Sequence, residues 1–104
     1  MFRRALDRDQ LWAGEMIAVE VGGRDVLLIA IDETVFAYED RCAHQQVKLS
    51  TGKLAGCVLI CSAHDWTYDA CTGRGLNPDN VQLRAIPVRV DGTEIQVDVE
   101  AVQQ

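Results

Sequence analysis

The sequence predicts an all-β chain, an antiparallel β-sandwich with a loop-rich lobe inserted at about residues 40–80. Three observations carry this. Short apolar stretches run with a period near two, two-residue turn signals separate them, and almost no stretch repeats at helical spacing. Residues 16–21 alternate roughly and end at Gly22-Gly23, a hairpin signal. The run Val26-Leu27-Leu28-Ile29-Ala30-Ile31 suits a buried return strand. Asp32-Glu33 makes the next turn, and residues 34–38 the next strand. Beyond the lobe, residues 86–90 and 94–99 flank Asp91-Gly92, a strong two-residue turn. In the last of these strands Ile95, Val97 and Val99 fall on one face, with Gln96, Asp98 and Glu100 on the other. A short helix is expected only near residues 9–12, where Asp7 or Asp9 could cap a turn.

Length and composition bound the function. A chain of 104 residues without repeats, low-complexity tracts or linkers is expected to form one domain over residues 1–104. Hydrophobic residues make up 48%, yet no apolar run approaches the ~18–20 residues of a membrane span. The amino end, Met1-Phe2-Arg3-Arg4-Ala5, is basic but lacks the apolar stretch of a signal peptide, so a cytoplasmic protein without membrane attachment is expected. Sixteen acidic against ten basic residues give a formal charge of −6, which repels nucleic-acid phosphates. Such a surface serves solubility, and beside a redox site it also suits docking to a positive patch on a partner.

The inserted lobe holds the candidate chemistry. It reads Cys42-Ala43-His44, then sixteen residues, then Cys61-Ser62-Ala63-His64, so both histidines of the chain fall in matched C-x-H and C-x-x-H pairs. A Cys and a His so close on a tight loop can aim sulfur and imidazole nitrogen at one point, and two such loops can enclose a metal ion or a small cluster. In a Rieske [2Fe–2S] centre two His replace two Cys on one iron. Cys42 and Cys61 would then bind the inner iron as thiolates, with His44 and His64 on the outer one. A Cys2His2 set is also a zinc set; zinc fingers, however, pair Cys with Cys and His with His, whereas here each pair is mixed. Chance core residues are the remaining alternative.

Cys57 and Cys71 lie outside these pairs, and the spacing of all four cysteines does not match the C-x4-C-x2-C run of plant-type ferredoxins. The sequence leaves a Cys57–Cys71 disulfide open. A cytoplasmic setting disfavours one, so both are expected as free thiols, partly buried as small apolar residues.

Nearly the whole chain, from Trp12-Ala13-Gly14-Glu15 to the last hairpin, resembles the Rieske-type ferredoxins. It is most similar to the ferredoxin components of multicomponent toluene, aromatic or alkene di-iron monooxygenases. The resemblance rests on Cys42-Ala43-His44-Gln45-Gln46, Cys61-Ser62-Ala63-His64-Asp65-Trp66-Thr67-Tyr68, Gly73-Arg74-Gly75-Leu76-Asn77-Pro78-Asp79 and Ile86-Pro87-Val88. The ligand motif is highly specific for a Rieske cluster, and the flanking segments point less sharply to the monooxygenase group. The resemblance implies one [2Fe–2S] cluster per chain, held by Cys42, His44, Cys61 and His64, and a one-electron carrier rather than a catalyst. It also implies a monomer that takes electrons from an NADH-dependent flavin reductase and passes them to a di-iron oxygenase hydroxylase. The ferredoxin of a ring-hydroxylating dioxygenase is the nearest alternative, and a zinc-stabilised interaction module the alternative of another class.

Two departures from the wider Rieske pattern have physical content. Respiratory Rieske proteins join their two cluster loops by a disulfide; at the matching positions stand Val47 and Ala63. They also place a Ser two residues after the second ligand His, with its hydroxyl on a bridging sulfide, where this chain has Trp66. Fewer hydrogen bonds to sulfur stabilise the added electron less, so a potential near the low end of the Rieske range, on the order of −150 mV, is expected. Tyr68 stands where high-potential members carry a tyrosine bonded to a ligand sulfur, and such a bond would raise the value. Trp66 is expected to pack beneath the second loop. Gln45 and Gln46 are placed for partner contact or for solvent. Pro78 would stiffen a third loop over the cluster, and Gly73 and Gly75 would let that loop pass close to the lobe.

Overall fold

The computed structural model describes residues 1–42, 47–62 and 65–101. Its strands are β1 (Arg3–Asp7), β2 (Met16–Val21), β3 (Arg24–Ile31), β4 (Thr34–Glu39), β5 (Lys53–Ala55), β6 (Val58–Ile60), β7 (Thr67–Asp69), β8 (Gly75–Asn77), β9 (Val88–Asp91) and β10 (Glu94–Val97), with single 3-10 turns at Arg8–Gln10, Leu49–Thr51 and Val99–Ala101. They form three antiparallel sheets, ordered β1-β10-β9, β2-β3-β4 and β5-β6-β7-β8. Among the described residues there is no α-helix, and none long and apolar enough to cross a membrane.

β3 explains why the longest apolar run of the chain is unbroken. Val26, Leu28 and Ala30 join one core with Val35, Ala37, Ile95, Val97 and Val99, between the middle sheet and β1-β10-β9. Leu27 and Ile29 join a second core with Tyr38, Leu49, Leu59, Tyr68, Cys42 and Cys61. Successive side chains of a strand point to opposite faces, so a strand sandwiched between two cores must be apolar at every position. β3 is that strand, and Val26 through Ala30 are fully buried. The lobe therefore packs on the outer face of the middle sheet, and its core is shared with the proposed cluster ligands.

The hairpin between β2 and β3 turns through Gly22-Gly23, both at positive φ (58° and 79°) as a primed turn demands. The β9–β10 turn lies one residue later than the sequence suggests: Asp91 pairs with Glu94, leaving Gly92-Thr93 as the loop. β9 also starts late, because Ile86 N–H donates to Ala37 O at 2.9 Å, while Pro87 has no N–H to give and accepts from Asp98 N at 3.0 Å. The last strand stops at Val97, although Ile95, Val97 and Val99 are buried as their alternation predicts. In place of a helix at residues 9–12 there is one 3-10 turn after Asp7, with Gln10 Oε1 accepting from Asp7 N at 3.3 Å. It cannot lengthen, since Leu11 is buried in the core and Trp12 already turns toward β2 through Glu15.

β1 escapes the sequence reading. RRALD has no alternating apolar pattern and two charges at its start, and it becomes a strand because β10 offers an edge to pair with. The strands β5 to β8 are three residues each, too short for a period to register.

Asp40 is the one fully buried charged residue described. Its carboxyl oxygens accept from Ser50 N and Ser50 Oγ, both at 2.8 Å, tying the end of the middle sheet to the Leu49–Thr51 turn. Asp40→Ala leaves two partly buried donors without their acceptor and should cost about 2 kcal/mol, a fall of many degrees in Tm by far-UV circular dichroism. An unchanged melting curve would show that this tie does not hold the lobe.

Candidate metal centre

The two cluster loops close in the same way. Cys42 N–H donates to Val47 O at 2.9 Å, and Cys61 N–H donates to Trp66 O at 2.8 Å. Each bond joins a cysteine to the carbonyl five residues on, and each bracketed segment contains one histidine in the sequence. His44 and His64 themselves lie outside the described residues, as do Ala43, Gln45, Gln46 and Ala63. Inside the second closure Asp65 takes a left-handed backbone (φ 53°), which a short polar side chain tolerates. Thr51 Oγ1 and Ser62 Oγ, 2.8 Å apart, tie this loop to the Leu49–Thr51 turn.

Cys42 and Cys61 are buried in one core with Leu49, Leu59 and Tyr68. They reach it from different elements, Cys42 three residues after β4 and Cys61 directly after β6. Tyr68, on β7 and fully buried, places its hydroxyl 3.1 Å from Cys42 Sγ. When Cys42 is a metal-bound thiolate, the phenol is the donor. This is the bond that the position of Tyr68 in the sequence raised. Trp66 is half-buried against the same core, consistent with packing beneath its loop. Two sulfurs in one dry core, one with a phenolic donor aimed at it, and a loop closure behind each match the thiolate half of a Rieske ligand set.

The third loop is closed by Gly75 N–H to Val81 O at 2.8 Å. A Cβ on Gly75 would collide with Pro78 O and with Val81, and one on Gly73 (φ 77°) would meet Tyr38 Cε1 at 2.8 Å. Gly73 thus permits the close approach expected of it, whereas Gly75 lets the loop close on itself. Tyr38 in turn donates to Ala70 O at 2.7 Å. Its burial, with Cys71 and Asp69 nearby, pushes its pKa well above the usual range, so it remains a neutral donor.

A feature the sequence did not signal lies beside Cys42. A cavity of about 320 Å³ is lined by Glu39, Arg41, Cys42, Gln82, Leu83 and Arg84. Glu39 pairs there with Arg41 at 3.8 Å and with Arg84 at 3.6 Å. These three residues are distant in sequence or unremarkable in type, and the Tyr38–Ala85 bridge brings them together. Cys57 and Cys71 are free thiols as expected, but Cys57 is exposed rather than partly buried, because it sits at the solvent-facing β5–β6 turn.

Comparison with known proteins places this geometry. The Rieske [2Fe-2S] domain family matches residues 2–87. The ferredoxin component of the alkene monooxygenase system of Xanthobacter autotrophicus is 41% identical over 93 residues, covering 88% of this chain and 76% of that protein. The ferredoxin of carbazole 1,9a-dioxygenase from Nocardioides aromaticivorans superposes with a TM-score of 0.84 at 31% identity, over 92% of this chain and 95% of that one. A ferredoxin solved in complex with the oxygenase of carbazole 1,9a-dioxygenase gives a TM-score of 0.83 at 28% identity, over 92% and 91% of the two chains. The family is therefore that of an iron–sulfur protein rather than of a zinc module. The chain belongs to the Rieske [2Fe-2S] family and is a Rieske-type ferredoxin, a one-electron carrier.

Proposed function

We propose that this ferredoxin takes single electrons from an NADH-dependent flavin reductase and delivers them to the di-iron hydroxylase of an alkene or aromatic monooxygenase, without being an enzyme itself. Cys42, His44, Cys61 and His64 are the proposed ligands, in a single domain spanning residues 1–104 that acts as a cytoplasmic monomer. The observation that carries the choice of oxygenase is the 41% identity to an alkene monooxygenase ferredoxin. When bound, the cluster supplies a one-electron couple whose neutral His ligands make reduction easier than an all-thiolate shell would.

The work of this chain is to hold and tune that couple. Cys42 and Cys61, buried in the lobe core, present sulfur where water is excluded. With Cys42 as a thiolate, Tyr68 donates a hydrogen bond to Cys42 Sγ, and Trp66 closes the second loop through its carbonyl. His44 and His64 are the proposed remaining ligands of the set. No described residue is needed as a general acid, base or nucleophile for such a role. The loop between Gly75 and Val81, stiffened by Pro78, is the proposed cover.

A dioxygenase partner is the second reading, favoured by the match to the carbazole dioxygenase ferredoxin. The test supplies chemically reduced protein to a di-iron hydroxylase and, separately, to a Rieske-containing terminal oxygenase. Product formed at turnover rate with the hydroxylase is the expected result. Product formed only with the terminal oxygenase would replace the first reading by the second.

A further inference from the structure

Two thiols outside the proposed ligand set stand at the foot of the hairpin that carries Cys61. β6 runs from Val58 toward Cys61, and β7 returns from the second loop to Asp69, with Val58 opposite Asp69. One step further out, Ala70 N–H donates to Cys57 O at 2.8 Å, so the two chains are still paired at Cys57. The chain then turns at once: Gly73 N–H donates to Asp69 O at 2.7 Å, and Cys71 N–H to Asp69 Oδ1 at 2.9 Å. This turn brings Cys71 back beside Cys57, with the two side chains within hydrogen-bonding reach. Cys57 is exposed, Cys71 half-buried, and both are reduced.

We propose that Cys57 and Cys71 are a redox-closable dithiol that a low-molecular-weight disulfide converts into an intramolecular bond stapling the foot of the β6–β7 hairpin. The exposed Cys57 thiolate attacks one sulfur of the small disulfide, forming a mixed disulfide and expelling the first small thiolate. Cys71, deprotonated at that moment, attacks the Cys57 sulfur and expels the second. Two protein thiols are oxidised, and one small disulfide is reduced to two small thiols. The order of attack follows from access and acidity: burial, then the hydrogen bond of the Cys71 thiol to Cys57, push the Cys71 thiol up, so Cys71 is the resolving partner. The backbone bond from Ala70 N–H to Cys57 O holds the two cysteines' segments side by side, so the S–S bond of ~2.05 Å requires a local approach of the two side chains.

The location gives the bond a consequence. This chain has Val47 and Ala63 in place of a disulfide between the loops. The Cys57–Cys71 bond would instead restrain the hairpin bearing Cys61 from its opposite end, in one redox state only.

The test uses the cluster-loaded protein, incubated anaerobically with oxidised glutathione, alkylated and mapped by mass spectrometry while visible absorbance is followed. The expected result is joint loss of two alkylatable thiols, a Cys57–Cys71 cross-linked peptide, no retained glutathione and undiminished absorbance. In Cys71→Ser, glutathione should remain on Cys57; in Cys57→Ser, Cys71 should stay unmodified over the same period. Persistent glutathione on Cys57 of the unaltered protein, or both thiols still alkylated, would overturn the proposal. So would cross-links through Cys42 or Cys61, or absorbance lost in step with the thiols.

Discussion

Cys61→Ser should yield a colourless protein with essentially no iron or acid-labile sulfide, whereas Cys57→Ser, matured in the same way, keeps its red-brown colour. Cys61 is fully buried in the lobe core, directly beyond β6, and its backbone N–H closes the second loop on Trp66. A serine hydroxyl fits that space but is not deprotonated at neutral pH, so the cluster would lose one of its two proposed thiolates. Removing a ligand also removes binding free energy that stabilises the fold. Cys42→Ser and His64→Ala should behave alike, because each loop would contribute one ligand to each iron. Iron and sulfide per chain, with the visible spectrum, decide the matter. Full iron content in Cys61→Ser, with an unaltered spectrum, would remove Cys61 from the ligand set. Loss of colour in Cys57→Ser would mean that the set had been drawn from the wrong cysteines.

Tyr68→Phe should lower the reduction potential by about 40–60 mV, while the cluster stays in place. The Tyr68 hydroxyl lies 3.1 Å from Cys42 Sγ in a fully buried setting. Reduction adds negative charge that the ligand sulfurs share, so a donated hydrogen bond strengthens on reduction and favours the reduced state. A gain of about 1–1.5 kcal/mol in that state corresponds to roughly 40–60 mV for one electron. Phenylalanine keeps the ring in its packed position, and the unbonded sulfur should cost only about 1 kcal/mol in stability. With this bond in place the potential of the unaltered protein should lie above the low limit of about −150 mV that Trp66, in place of a hydroxyl donor, would otherwise set. Redox titration of both proteins measures the difference, and an unchanged midpoint would take the hydroxyl off the cluster.

The features readable in the sequence share one cause. Residues whose side-chain chemistry is demanding leave local marks: paired Cys and His, a glycine pair at a primed turn, an unbroken apolar run. Met16–Val21 was found at its exact bounds because alternation and Gly22-Gly23 mark both its middle and its end. β1 left no mark, since its pairing depends on the β10 edge rather than on its own residues. The Glu39–Arg41–Arg84 cluster beside Cys42 is equally silent, because charged residues are ordinary in loops until the Tyr38–Ala85 bridge gathers them. The sequence left a Cys57–Cys71 pairing open, and the tight turn after Asp69 is what brings Cys71 back toward Cys57.

By itself, the sequence determined the kind of metal centre, the all-β class and the strand that must be buried throughout, because ligand chemistry and two-residue periodicity are local properties. Only the tertiary structure decided that β3 separates two cores, that Tyr68 reaches the sulfur of Cys42 across 26 positions, and which residues surround that sulfur. Those are distances between segments far apart in the chain, and they are set by how sheets stack and where each loop closes.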